Sequence, residues 1–383
     1  MEILFYISLS MILYTYFIYP LVLWVYVNLV TQKIKKAENK DKLPTISIII
    51  SVYNEEKNIK EKLNNCLNLN YPKDKLEILI GSDGSTDRTN EIISKYKDKI
   101  RFFSFNKRCG KPTIINKLVP KTKGQILVFS DATTIYKVDA LKNIVTPFNR
   151  SDIGGVAGNL FFENPNNNPG GEGEKLYWKY EKMIKKLENR ANSFISASGA
   201  IYAIRKKLFR FLPENIIADD FVISMSVILK GYRLFYQESA VAFEKTALSL
   251  KDEFKRRIRI TTGNLQSLTL LKSLLGFRNI KVAFSFYSHK IFRWLIPFAL
   301  IMLFISNAFI INFNNIFKYI FLVQLLGYLV GLLGYFLNKK DIELGKLYVP
   351  YYFIAMNLGI LLGFIRIIKN EQSVKWDKIS RGE

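Results

Sequence analysis

The chain has 383 residues, of which 49% are hydrophobic and 23% are charged, and its formal net charge is +24 at pH 7. One histidine and two cysteines rule out a disulfide framework and argue against a zinc site or a Ser-His-Asp triad. The basic residues crowd beside apolar segments and form no stripe interleaved with aromatics. We therefore expect contact with membrane lipid, no nucleic-acid partner, and chemistry that depends on carboxylates and a cofactor or metal.

The first apolar segment, residues 3–30, contains no charged side chain and is long enough to cross a hydrocarbon core of roughly 30 Å. A cleaved signal peptide is the alternative, but the segment is long for one and no small-residue cleavage site follows it. We predict a transmembrane helix over residues 1–31 and about three more within residues 291–368. Residues 369–383 would form a tail.

The charge pattern predicts how these segments are oriented. Lys33, Lys35 and Lys36 follow the first span, and a positive flank stays on the cytoplasmic side. The sequence thus predicts an integral protein of the plasma membrane with a cytoplasmic middle domain. Three later spans would place the basic tail outside, against the same rule. Either one later segment is re-entrant or interfacial, or the rule is violated at this end.

The charged middle section, residues 44–250, alternates strands with helices. Asn54 is a candidate N-cap for a helix that extends to about Leu69. The predicted strands are Ile46 to Val52, Leu76 to Ile80, Arg101 to Phe105 and Gln125 to Phe129. Four such alternations predict an α/β fold with an open, mainly parallel sheet flanked by helices.

Polar and acidic residues follow three of these strands. Glu55 follows the first, Asp83 the second and Asp131 the fourth. Ligands of such sheets bind outside the carboxyl ends of the strands, so this placement suggests a site for a cation and phosphates. The alternative is that Asp83 and Asp87 are turn or cap residues.

A helix is also predicted from about Leu176 to Glu188, with one apolar face. That face either packs on the domain core, which we favour, or lies at the membrane surface. Its residues are Leu176, Tyr180, Met183, Ile184 and Leu187.

The motifs, in order, resemble the membrane family 2 glycosyltransferases of GT-A fold, which include cellulose, chitin and hyaluronan synthases. Val52-Tyr-Asn-Glu-Glu56 is similar to the family's opening strand motif, and Gly81-Ser-Asp-Gly-Ser-Thr-Asp87 to the second. The resemblance implies that Asp83 contacts the nucleobase, usually uracil. Val52, Tyr53 and Glu55 would then lie beside the nucleoside.

Two further motifs of the resemblance concern the donor's phosphates. Cys109-Gly-Lys-Pro-Thr-Ile-Ile-Asn116 is similar to the segment in which a lysine, here Lys111, meets the diphosphate. Ser130-Asp131-Ala-Thr133 occupies the place of the metal-binding DXD motif, with Thr133 where the second acid usually stands. A magnesium or manganese ion can take its other ligands from water and phosphates, so Asp131 with Thr133 can suffice.

On the acceptor side, Ser198-Gly-Ala-Ile-Tyr-Ala-Ile-Arg205 resembles the family's acceptor strand, which assigns Ser198 and Gly199 to acceptor binding. Ala218-Asp219-Asp220 stands at the TED-like motif, whose second acid is the general base. That position is Asp220, with Asp219 beside the acceptor. Asp219 has the alternative of capping a helix that follows it.

Lys255-Arg-Arg-Ile-Arg-Ile260 falls where processive family members carry QXXRW. Arg256 stands for the glutamine and Ile260 for the tryptophan, while Arg257 and Arg259 keep the basic character, so all three arginines are assigned to the donor. We predict that residues 251–290 form interfacial helices that carry this basic motif. The competing interpretation is that the basic segment holds anionic lipid.

Taken with the resemblance, these residues predict an inverting, metal-dependent glycosyltransferase. It would move a sugar from a nucleotide-sugar, by similarity a UDP-sugar, to a polysaccharide or lipid-linked acceptor, with possible chain export. Transfer of one sugar to a lipid acceptor is the alternative. The non-enzymatic alternative is a membrane transporter or scaffold with a soluble sensor domain.

Overall fold

The computed structural model describes residues 1–29, 43–163, 170–245, 249–276, 280–340 and 348–371, with the side chains of residues 170–176 excepted. Lys33, Lys35 and Lys36 and the tail beyond residue 371 lie outside this part of the chain. The expectations about membrane orientation that depend on them therefore stay predictions.

Within the described residues, four helical segments are long and apolar enough to cross a membrane. The first joins α1 (Glu2–Leu13) to α2 (Tyr19–Leu29) through a π-helical turn, Tyr14–Ile18. The second joins α10 (Ile280–Phe286) to α11 (Phe292–Ile310) through another π-helical turn, Tyr287–Ile291. The last two are α12 (Asn315–Lys339) and α13 (Tyr348–Ile368).

Between the first two spans lies one eight-stranded sheet, ordered β3-β2-β1-β4-β7-β6-β8-β5. Strands β1, β2, β3 and β4 run parallel, whereas β7 is antiparallel to both β4 and β6. The strands are β1 (Ile46–Val52), β2 (Leu76–Asp83), β3 (Arg101–Phe105), β4 (Ile126–Ser130), β5 (Ile135–Tyr136), β6 (Ile153–Glu163), β7 (Ile201–Arg205) and β8 (Arg233–Lys245). The predicted mainly parallel sheet is confirmed, with an antiparallel strand inserted at its centre.

Helices cover both faces of the sheet. They are α3 (Ile59–Leu67), α4 (Thr89–Ser94), α5 (Lys111–Leu118), α6 (Ala140–Val145), α7 (Gly170–Ala191), α8 (Asp219–Leu229) and α9 (Leu250–Ser267). Strand β1 shows why the sequence is so apolar here. Ile48 and Ile50 enter the core on one face, and Ile49 enters a second core on the other. A strand covered on both faces needs apolar residues at successive positions.

Two expectations about helices are wrong. Asn54 caps no helix: its φ is +52°, and α3 begins five residues later, after Asn58. The apolar face of α7 packs on the first span and not on the domain core. Ile184 and Leu187 pack against α2 of the first span, and Met183 is largely exposed. Leu176 lies among the residues whose side chains are not described.

Candidate active site

The carboxyl ends of β1, β2 and β4 meet at one edge of the sheet, because β1 pairs in parallel with both neighbours. Tyr53, Asp83 and Asp131 follow or end these strands and line one cavity of about 380 Å³. This is the site that the strand ends predicted. The cavity continues from the sheet edge toward α7, α9 and the second span.

Hydrogen bonds join the loop after β1 to the loop after β2. The backbone N–H of Thr86 donates to Asn54 Oδ1 at 2.8 Å. Asp87 accepts from the N–H groups of Glu56, at 3.2 Å, and Thr89, at 3.0 Å. Asp87 is therefore the turn residue that one interpretation proposed.

Asp83 is buried and accepts two backbone hydrogen bonds. Cys109 N–H donates to Oδ1 at 2.6 Å and Gly110 N–H to Oδ2 at 2.8 Å. Gly110 has a φ of +94°, a conformation that favours glycine, and immediately precedes α5. Asp83 thus fixes the turn that presents Lys111. A carboxylate has about four acceptor positions, so Asp83 can accept further hydrogen bonds.

Lys111 lies among three carboxylates. Its Nζ is 2.7 Å from Asp131 Oδ1 and 3.4 Å from Asp219 Oδ2. A Cβ placed on Gly199 would lie 3.3 Å from Lys111 Nζ and 3.4 Å from oxygens of both Asp131 and Asp220. The ammonium group of Lys111 and the carboxylates of Asp131 and Asp220 therefore converge on Gly199. This glycine has no side chain to fill the space between them.

Burial and neighbouring charge set the ionisation of this cluster. Burial alone lowers the pKa of Lys111, but the carboxylates, Asp131 first, outweigh it and raise that pKa above its ordinary value. Burial raises the pKa of Asp219 to about 6 despite Lys111, and it also raises the pKa of Asp220. The acidic pair can therefore take up a proton just below neutral pH.

Asp219 and Asp220 begin α8 but differ in their contacts. Asp220 Oδ1 accepts from the N–H of Phe221 at 2.8 Å, which leaves its other oxygen toward Gly199. Asp219 is itself helical, and the N-cap, Ala218, has no side-chain cap. The cap alternative for Asp219 is therefore wrong, because its carboxylate faces Lys111.

The second acid missing from the DXD-like motif has a counterpart elsewhere in the chain. The Thr133 hydroxyl donates to Glu244 Oε1 at 3.0 Å, and Glu244 is buried on β8 and lines the cavity. Sequence reasoning missed it because Glu244 is more than a hundred residues from Thr133. The sequence offered one signal for Glu244: an acidic residue inside a predominantly apolar strand is a candidate for a functional site.

The basic helix α9 faces the same cavity. Arg256 Nη1 is 3.3 Å and Arg257 Nη2 3.7 Å from carboxylate oxygens of Glu253. Arg257 also donates to the Tyr177 hydroxyl at 3.2 Å. Arg259 lines the cavity too. The arginines thus point into the protein, and the helix is not simply an interfacial segment.

Every residue assigned to the site from the sequence lines this one cavity. These residues are Val52, Tyr53, Glu55, Asp83, Lys111, Asp131, Thr133, Ser198, Gly199, Asp219, Asp220, Arg256, Arg257 and Arg259. Their individual roles stay predictions. The cavity also contains residues that sequence reasoning did not single out, among them Glu181, Lys185 and Lys290.

Known proteins resemble the chain in both sequence and fold. Residues 47–210 match the family model described as "Glycosyl transferase family 2". A probable glycosyltransferase of Bacillus subtilis, YdaM, is 26% identical over 91% of this chain and 89% of its own length. A poly-beta-1,6-N-acetyl-D-glucosamine synthase of Staphylococcus aureus is 28% identical over 60% of this chain and 57% of the synthase.

Among solved structures, the mannosyltransferase PcManGT from Pyrobaculum calidifontis, in complex with GDP-Man and Mn²⁺, has a TM-score of 0.71 and 20% identity. The alignment covers 96% of this chain and all of that one. This likeness supports the fold. The family match shows that residues 47–210 form a family 2 glycosyltransferase domain, and the solved structure supports its GT-A fold.

Proposed function

We propose that this enzyme transfers a sugar from a nucleotide-sugar, in our assignment a UDP-sugar, to an acceptor at the cytoplasmic face of the plasma membrane. The observation that carries the proposal is the convergence of Lys111, Asp131 and Asp220 around Gly199. The cavity there joins the strand ends, where nucleotides bind in such sheets, to the second apolar span. A donor and a membrane-bound acceptor can meet in that space.

On the donor side, Tyr53, Glu55 and Asp83, with Val52, would hold the nucleoside. Lys111 would neutralise the diphosphate, supported by the guanidinium groups of α9. In the structure Lys111 contacts Asp131, so donor binding would place phosphate beside a lysine that is already positioned and charged.

The oxygen donors beside the strand ends fit a divalent cation. Asp131 offers a carboxylate, and Glu244, joined to the Thr133 hydroxyl, offers a second. Within the described residues no group of three or more His, Cys, Asp or Glu side chains can hold a metal alone, so phosphates and water would complete the shell. When bound, Mg²⁺ or Mn²⁺ would stabilise charge on the departing diphosphate. Mn²⁺ accompanies GDP-Man in the mannosyltransferase of similar fold.

The cation assignment can be tested by calorimetry of UDP binding with and without Mn²⁺. Mn²⁺ should strengthen binding to the native enzyme, and this gain should shrink in Asp131→Asn and Glu244→Gln. Glu238→Gln, at an exposed position earlier on β8, is the matched control. An equal Mn²⁺ effect in all variants would remove these residues from the cation site.

The reaction would be a single displacement with inversion. The acceptor hydroxyl oxygen forms a bond to the anomeric carbon while the bond from that carbon to the diphosphate oxygen breaks. The hydroxyl proton passes to Asp220, and the nucleoside diphosphate leaves with the electron pair. Gly199 and Ser198 would lie against the acceptor, with Asp219 beside it.

Replacing Asp220 with Asn tests the base. Transfer should fall by about a hundredfold to ten-thousandfold, because the acceptor hydroxyl loses its proton acceptor, while donor binding stays near the native value. The assay measures nucleoside diphosphate release and product with a panel of nucleotide-sugars, alongside donor binding by calorimetry. Native transfer rates in this variant would refute the assignment.

The acceptor distinguishes two forms of the proposal. One S. aureus relative is named as a polysaccharide synthase, which favours a growing glycan that the membrane helices could export. Transfer of one sugar to a lipid is the second form. Product length from purified enzyme in lipid separates them: a ladder of products supports polymerisation, and a single added sugar supports the lipid form.

A further inference from the structure

The cavity extends past Asp220 to two lysines at its membrane side. Lys185 belongs to α7 and is buried, with 9% of its surface exposed. Lys290 lies in the π-helical turn of the second apolar span, and both lysines line the cavity.

Neighbouring charged groups already have partners. Arg256 and Arg257 face Glu253, and Lys111 faces Asp131. Helix α7 also carries two buried glutamates that line or adjoin this region. One of them, Glu181, contacts Arg293 and His289. Glu188 accepts from Tyr19 and Ile195 and contacts His289. Among the residues that the structure describes, Lys185 and Lys290 are in no ion pair.

The charge of Lys290 acts on the ammonium group of Lys185 in the shared cavity, and the two like charges repel each other. Burial, followed by the Lys290 charge, lowers the pKa of Lys185 to about 8. Glu188 and Asp220 act in the opposite direction without cancelling this effect. An anion between the lysines would relieve the repulsion and replace the water that each charge has lost. The arrangement is that of a prepared anion site.

We propose that Lys185 and Lys290 bind a phosphate group on the acceptor, and that this acceptor is a membrane lipid whose head group carries a phosphate and a free hydroxyl. The assignment rests on the proposed function, in which Asp220 activates the hydroxyl. The Asp220 carboxylate acts to raise the pKa of both Lys185 and Lys111. The acceptor phosphate and the donor diphosphate would therefore lie near different lysines, with the base between them.

The membrane supplies the argument for a lipid over a free phosphate. Lys290 lies on the helix Ile280–Ile310, which is apolar enough to cross a bilayer, so the lysine pair lies beside a lipid-facing segment. A lipid phosphate could reach the cavity laterally while its acyl chains stay in the membrane. Lipid phosphates lie near the depth at which span-end lysines are usually found.

Binding of a short-chain phosphatidylglycerol to detergent-purified protein tests the site without any sugar transfer. Diacylglycerol with the same chains is the control that lacks phosphate, and inorganic phosphate is the control that lacks lipid. Native mass spectrometry should show retention of phosphatidylglycerol alone. Lys185→Gln and Lys290→Gln should each weaken it about tenfold, as expected for a lost charge-assisted hydrogen bond.

Lys186→Gln is the matched control on the same helix. Lys186 is exposed and pairs with Glu238 at 2.6 Å, outside the cavity, so this variant should bind the lipid normally. UDP binding, measured in every variant, shows that the fold and donor site persist, and Lys185→Arg should recover most of the lipid affinity.

The outcomes separate the two proposals. Equal lipid binding by Lys185→Gln and Lys186→Gln would overturn the anion site even if the enzyme transfers sugar. Equal affinity for inorganic phosphate and phosphatidylglycerol would overturn the lipid assignment. Lipid binding that depends on the lysines, in a protein with no transferase activity for any donor, would support the site while rejecting the proposed reaction.

Discussion

Buried polar side chains beneath the active-site edge position the reacting groups. Lys62 on α3 is fully buried, and its Nζ donates to the Ser130 hydroxyl at 2.7 Å and to the Thr134 carbonyl. These bonds fix the loop that carries Asp131. Nothing in the local sequence marked Lys62, because its partners are about seventy residues away.

Replacing Lys62 with Met should lower the free energy of unfolding by about 2 kcal/mol, because the hydroxyl and carbonyl lose their partner in the interior. Thermal unfolding of the purified protein measures this change. Lys60→Met, at an exposed position on the same helix, is the control and should have little effect. A Lys62→Met protein as stable as the control would contradict the positioning role.

The raised pKa values of the two aspartates predict an acidic limit to activity. The base must be ionised to accept a proton, and burial raises the pKa of Asp219 to about 6 and that of Asp220 in the same direction. The catalytic efficiency, kcat/KM, should therefore be near its full value above neutral pH and fall on acidification, because the base takes up a proton.

Asp219→Asn tests whether the coupled pair Asp219 and Asp220 sets the acidic fall in kcat/KM. Removing the neighbouring negative charge should make Asp220 easier to ionise, so the acidic fall in kcat/KM should move to lower pH. Donor binding measured across the same range excludes a loss of substrate. An unchanged acidic fall in this variant would show that the coupled pair does not set it.

At the scale of elements, close helix packing holds the arginines of α9 in the cavity. A Cβ on Gly359 would lie 3.1 Å from Arg257 Cγ, and one on Gly363 would lie 2.7 Å from Thr261 Cβ. Helix α13 can approach α9 this closely because both positions are glycine, as small residues allow in membrane helix pairs. The last span therefore supports the wall of the active site.

Gly363→Ala should force α9 and α13 apart and lower stability by about 1–3 kcal/mol, as overpacking does. Donor affinity should also fall, because the arginines of α9 move with the helix. Gly327→Ala on α12 is the control: nothing lies within 4 Å of its added Cβ. Thermal unfolding and UDP calorimetry measure both effects, and equal behaviour of the two variants would contradict this coupling.

At the scale of the whole molecule, a buried polar network among the described residues joins the apolar spans to the loop that carries Ser198 and Gly199. Glu188 on α7 accepts from the Tyr19 hydroxyl of the first span at 2.7 Å and lies 2.8 Å from His289 Nδ1 of the second. Its other oxygen accepts from the N–H of Ile195 at 3.1 Å, close to the Ser198–Gly199 segment. Arg293 of the second span is buried, and its guanidinium group contacts Glu181.

Glu188→Ala should loosen both connections. We expect a lower melting temperature, because several buried donors lose their acceptor, and a higher KM for the acceptor, because the loop that faces it is no longer held. Glu238→Ala, an exposed glutamate on β8, should change neither quantity. An unaltered acceptor KM together with a lower melting temperature would limit Glu188 to a structural role.

The sequence by itself determined the spans, the parallel strands and the acids at the strand ends. Each of these depends on short-range patterns: apolar length, β-branched runs such as Ile46–Val52, and the edge that parallel strands share. The family resemblance added Asp220, which no local spacing would have selected. Asn54 shows the limit, since a residue typical of helix caps here joins two loops instead.

Only the tertiary structure decided which distant groups face the cavity. Glu244 accepts a hydrogen bond from Thr133, and Lys185 and Lys290 line the same cavity. The face of α7 could be predicted as apolar, but its partner could not, because an apolar stripe fits a core and a membrane helix equally well. Burial and long-range charge, which fix the pKa of Asp219, arise only when the chain has folded around it.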